Sequence, residues 1–318
     1  MRFLLLSIAF LLGAQNLFAQ PKVKWKKVAT FPGHLMLNTV CPLPGFDVAL
    51  GGFYEDHTER RFFKILDGKV AEWEVPYPGK GFAKNILFYK DSVLYCGGGL
   101  DSNKAGYSQN DFWKLDLKTK QWQRLKDLDF YYLDRPSVFV DSDKIWLVVA
   151  RFTDKELKQP GTAIYTYDTG KDSWEKTDTG PNSSLILPRS FVIGGDIYLF
   201  FEGQTYANQF SGALYSFNKM THAWKKCSPY PGEARIASVP FVYSGMGFIA
   251  GGTNLPSSNN MATVYGYDPI TDSWRKAGFL PAGVSAATAW QGHDGGIYVG
   301  FGKPNATDNC FIWELVEK

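Results

Sequence analysis

The sequence of 318 residues predicts an all-β chain, a six-bladed β-propeller closed by pairing of its N- and C-terminal strands. Three observations lead there. A Trp recurs at positions 25, 73, 122, 174, 224 and 274, at separations of 48, 49, 52, 50 and 50 residues. Four of these Trp close a common segment, LDLKTKQW (115–122), YDTGKDSW (167–174), FNKMTHAW (217–224) and YDPITDSW (267–274). Strand-period apolar stretches and Gly-Gly pairs recur upstream of them, with no helical periodicity. A fixed period of this length marks one supersecondary unit that buries its faces only against its neighbours.

The strands of the unit can be justified in turn. ALYSF (213–217) and TVYGY (263–267) alternate apolar and polar residues as half-buried strands do. Asp116, Asp168, Asn218 and Asp268 follow such strands, and their side-chain oxygens suit the start of a tight turn that brings the Trp strand back as a hairpin. Pro32, Pro78, Pro231 and Pro281 come after Trp strands and end the pairing, since proline supplies no donor. Further upstream, VALGG (48–52), LYCGG (94–98) and FIAGG (248–252) end a strand in two glycines, which let the backbone turn sharply and approach a neighbour. IWLVVAR (145–151), IYLFFEG (197–203) and IYVGFGK (297–303) stand in the same place with one or both glycines lost.

The unit therefore has four strands, and five units centre near residues 40–77, 82–128, 135–180, 187–230 and 235–280. The sixth is split. IYVGFG (297–302) and FIWEL (311–315) lack a Trp strand, while Trp25 lies in a Trp strand without partners. Joining the two closes the ring.

With diglycine, aromatic and Trp in place, the chain resembles the kelch repeat family from about Val23 to its C-terminus. The resemblance implies blades packed radially around a channel, an arrangement that hides sheet edges. The whole-chain plan is also similar to bacterial exported N-acetylneuraminate mutarotases, without a motif-level match. That family's pattern would want an Arg six positions beyond Glu202, where this chain has Asn208.

Composition agrees with one large core: 45% of residues are hydrophobic, 16% aromatic and 20% charged. Residues 1–19 read as a secretory signal, with Arg2, an apolar run over 3–12 and Ala19, which leaves 20–318 as a single propeller domain, secreted or periplasmic. The apolar run is about half of the ~20 residues that a membrane span requires, and no later segment is longer. The 34 basic and 31 acidic residues are scattered, so nucleic acid is not an expected partner. Cys41, Cys96, Cys227 and Cys310 form no CxxC and have no His at metal-site spacing. Their pairing is left open, and neither metal nor cofactor is expected.

Candidate site residues come from the ring geometry. The longer loops (53–61, 99–110, 151–163, 202–212, 252–262 and 302–309) share one face, which is therefore expected to carry the ligand mouth, while the short turns of the other face are set aside. Arg135, Arg189 and Arg235 begin the innermost strands of three consecutive blades, and Arg151 follows a second strand. They suit bidentate binding of a carboxylate, or pairing between blades. Glu202 stands in a diglycine place, as a general base or an ion-pair partner. Tyr107 and Tyr206, with Tyr131 and Tyr132, are placed in loops where they can stack on a sugar. Two functions follow: an exported propeller that binds a small carbohydrate or an extracellular protein segment without catalysis, or a mutarotase or epimerase acting on an acidic sugar.

Overall fold

The computed structural model describes residues 23–54, 57–101, 108–141, 144–152, 160–182, 184–204, 210–305 and 309–316. The expected signal segment, Tyr107 and Tyr206 lie outside these residues.

Six antiparallel sheets stand around a central axis, each with the strand order the repeat implies. In blade 2, for example, Ala83–Lys90 lines the channel, followed outward by Val93–Leu100, Phe112–Asp116 and Gln121–Arg124. Blade 6 takes three strands from the end of the chain, Thr288–Gln291, Ile297–Gly300 and Asn309–Val316, and its outermost from the start, Lys24–Pro32. Trp25 lies opposite Leu315 and Phe31 opposite Cys310 in that clasp.

The turns form for the reason their sequence gives. Asp116 Oδ1 accepts the Lys118 and Thr119 amides at 2.8 and 3.0 Å, and Asp168 and Asn218 each hold the two amides at the same offsets. Asp268 Oδ1 accepts the Ile270 amide at 2.9 Å. The second acidic residue of the motif reaches between blades: Asp172 takes the Lys126 amide and Asp272 the Ser228 amide, each at 2.9 Å.

Each diglycine is a left-handed pair, as at Gly51-Gly52 and Gly251-Gly252. A Cβ on Gly51 would run into the Phe82 carbonyl of the next blade, and one on Gly251 would lie 2.6 Å from the Val284 oxygen. In blade 2 the pair is Gly98-Gly99, one residue later than the sequence pattern places it, because three consecutive glycines leave the register free to slide.

The core is divided by blade interface. Six clusters of buried side chains each join one blade to the next, such as Leu50 and Phe62 of blade 1 with Leu87, Leu94 and Leu115 of blade 2. Inner strands are covered on both faces. Ile145, Leu147 and Val149 pack toward blade 2 while Trp146 and Val148 pack toward blade 4, which explains the unbroken apolar run. The four cysteines are buried and unpaired in this core.

Candidate ligand site in the central channel

The chain bends into five of the six blades at one residue of left-handed backbone: Leu37, Lys84, Leu187, Ala237 and Ala286, with φ between 55° and 58°. These residues tie neighbouring blades into a hoop. The Lys84 amide donates to the Leu37 carbonyl at 2.8 Å, the Leu37 amide to Ala286 at 3.3 Å, and the Ala286 amide to Ala237 at 3.1 Å. In blade 3 the place falls to Arg135, which is not left-handed and precedes Pro136, and proline favours an extended residue before it.

Side chains complete the hoop where the backbone does not. Lys84 Nζ meets Asp134 Oδ1 at 3.2 Å, and Asp134 Oδ2 meets Arg189 Nη1 at 2.8 Å. Arg189 Nε and Nη2 each approach Glu202 Oε2 at 2.8 Å. The Glu202 carboxylate then accepts the Ala237 and Ser238 amides at 3.0 and 2.8 Å and also the Ser238 hydroxyl. Burial opposes the charge on Asp134, yet Arg189, Lys84 and Arg135 outweigh it and hold its carboxyl well below the usual range. Burial likewise opposes the charge of Arg189, and Asp134 and Glu202 raise it above its ordinary value.

Inside the hoop lies a channel of about 600 Å³. Its walls are the exposed edges of the innermost strands, with Leu87, Val138, Phe191, Val239, Phe241 and Trp290 among the apolar lining. Arg135 crosses it. Its Nη1 donates to the Ala287 carbonyl of blade 6, and Nη2 lies 3.5 Å from the Ser238 oxygen of blade 5. Burial, then the nearby charge of Arg189, draws the guanidinium down to about 10. Two residues of the lining, Asn38 and Ser190, each keep a side-chain atom, Nδ2 and Oγ, buried beneath the wall with no hydrogen-bond partner among the described residues. Buried polar atoms are rarely left so, and these have capacity to spare.

The structure thus separates the arginines that the sequence groups together. Arg135 and Arg189 border the channel, but Arg189 is engaged by two carboxylates. Arg235 is fully buried elsewhere, bonded to Gly251 O at 2.9 Å and Thr263 Oγ1 at 2.7 Å, with the Tyr230 ring beside it. Their registers differ: Arg189 faces Phe200 across the first strand pair of its blade, whereas Arg235 faces Asn254 in a separate short ribbon. Glu202 is fully buried within the hoop and is not on the channel surface. Arg151 pairs with Gly161 through its backbone, and its side chain lies outside the described residues. Tyr132 is buried and binds the Gly99 amide and Lys84 carbonyl, while Tyr131 is 38% exposed. No group of three His, Cys, Asp or Glu among the described residues could hold a metal.

The channel also opens on the face that the sequence reading sets aside. Its lining ends at Val140 and Gln291, next to the short turns. Asp134, Lys84, Asn38, Ser190 and Ser238 escape sequence reasoning altogether. Asp134 alone carried a signal, as the neighbour of Arg135.

No family model matches the chain. The solved structure of YjhT superposes on it with a TM-score of 0.71 at 14% sequence identity, covering 92% of this chain and 97% of that one. At that identity the likeness is one of fold, and it extends over the whole ring: the chain is a six-bladed β-propeller of the same architecture as YjhT.

Proposed function

We propose that this protein is an exported, non-catalytic propeller that binds a small carbohydrate in its central channel. The observation that carries the reading is the channel itself, about 600 Å³ in volume, with the Arg135 guanidinium across it and Asn38 and Ser190 among the polar residues of its wall. That volume and a lining of apolar and aromatic residues with a few polar points are what small-molecule sites present.

Mutarotation needs an acid and a base with free atoms beside the sugar. Glu202 offers neither, because both of its oxygens are committed to Arg189, Ala237 and Ser238. This supports binding over catalysis. The test is a thermal-shift screen of the purified protein against neutral sugars and their uronic and sialic acid counterparts, followed by NMR of anomer exchange for any sugar that binds. A ligand at ~100 times its dissociation constant adds about 2.7 kcal/mol of stability. We expect a rise in melting temperature with at least one sugar and no acceleration of anomer exchange. A protein that no sugar stabilises would overturn the carbohydrate reading, and accelerated exchange would overturn the non-catalytic one.

A further inference from the structure

Resting on the reading of the channel as the ligand site, we infer that it is a blind well, entered from the face of the short turns and floored by Arg135, which draws in the negatively charged end of a ligand first. Exposure along the channel carries the direction. At the floor, Ser238 and Ala287, whose carbonyls Arg135 reaches, are fully buried, and Asn38, which holds the matching place in blade 1, is 1% exposed. At the other end Val140 is 44% exposed, and Pro42 and Gln291 stand in solvent. Beyond the floor the hoop of backbone bonds and ion pairs surrounds the axis, so the guanidinium lies across the narrow end.

Charge carries the orientation. Among the described residues the lining has three charged side chains, Arg135, Arg189 and Asp141. Asp141, near the rim, is paired with Lys219 at 2.6 Å, and Arg189 is neutralised by Asp134 and Glu202. Arg135 donates only to neutral carbonyls among the described residues; Asp134 and Glu202 lie near it, but with Lys84 and Arg189 the cluster keeps one net positive charge, and a guanidinium has five N–H groups, so donors remain for a ligand. A charge at the end of a low-dielectric cleft focuses its field along the cleft, which can change encounter rates by roughly ten- to a thousandfold.

The test needs no knowledge of the natural ligand. The native cysteines are all buried, so a single Ser137→Cys substitution on the channel wall supplies the reactive thiol. Its modification is followed with two methanethiosulfonates of similar size, one sulfonate and one trimethylammonium, each rate divided by that reagent's rate with a small free thiol. We expect the anionic reagent to react at least about tenfold faster than the cationic one, the ratio to collapse in Ser137→Cys/Arg135→Gln, and both rates to fall in Ser137→Cys/Val140→Trp. Equal rates for the two reagents, or a Val140→Trp substitution that leaves them unchanged, would overturn the inference. If Arg135→Gln does not fold, the ratio in Ser137→Cys and its dependence on salt still decide: a ratio near one at low salt overturns it. Because the readout is access and polarity, it stands apart from whether any sugar binds.

Discussion

At the scale of single residues, the functional vocabulary of the sequence turns out to be divided between the ring's own closure and its channel. Glu202 and Arg189 look like chemistry because a carboxylate and a guanidinium are rare inside a core, but here they carry the hoop across two blades whose backbones do not meet. Removing one member of a buried pair strands the other and costs about 3–5 kcal/mol. Asp134→Asn should therefore lower the free energy of unfolding by about that amount at pH 7, read by urea denaturation. Because the Asp134 carboxyl is held below its unfolded value of about 3.9, its stabilisation is complete above pH 4 and is lost as pH falls through the folded value. The wild type should lose stability steeply below pH 4, and Asp134→Asn should show a shallower acid limb. The thiols are a second residue-level case. Burial pushes Cys41 up to about 12 and Cys310 up to about 11, so no cysteine should react with an aromatic disulfide reagent in the native protein, and all four should react in denaturant.

At the scale of elements, glycine requirements differ sharply with what surrounds them. Gly51 has φ +60° and faces the Phe82 carbonyl, whereas Gly194, at φ +58°, has nothing near the place a Cβ would take. Gly51→Ala should cost roughly 3 kcal/mol as backbone of the next blade is forced aside, and Gly194→Ala about 1 kcal/mol for the left-handed conformation alone. Equal losses at the two positions would show that the blade contact does not discriminate them. The strands themselves were legible because their signals are local: an Asp whose oxygen caps its own turn, a Trp six residues along, an apolar run buried on both faces. Register was less legible. Three glycines in blade 2 permit two alignments, and three arginines near strand starts look alike in sequence although they sit at different depths of the ring.

At the scale of the whole molecule, the split sixth blade follows from the sequence because the two chain ends carry complementary parts of one repeat, and the clasp of Lys24–Pro32 on Asn309–Val316 joins them. The site was not legible in the same way. It is assembled from residues of all six blades, Asn38, Leu87, Arg135, Ser190, Val239 and Trp290 among them, and no one segment of the chain contains enough of it to leave a motif. Loop length pointed to one face of the ring while the exposed end of the channel lining lies at the other, since a channel is shaped by the innermost strands and not by the loops that join them. The ligand is proposed to lie in this channel. Isothermal titration of a sugar found in the screen, into the wild type and into Ser137→Trp, which adds a large ring on the channel wall outside the core clusters, tests this. Binding heat that disappears in Ser137→Trp while the melting temperature of the unliganded protein is kept is the result expected; undiminished binding in that variant would overturn the placement.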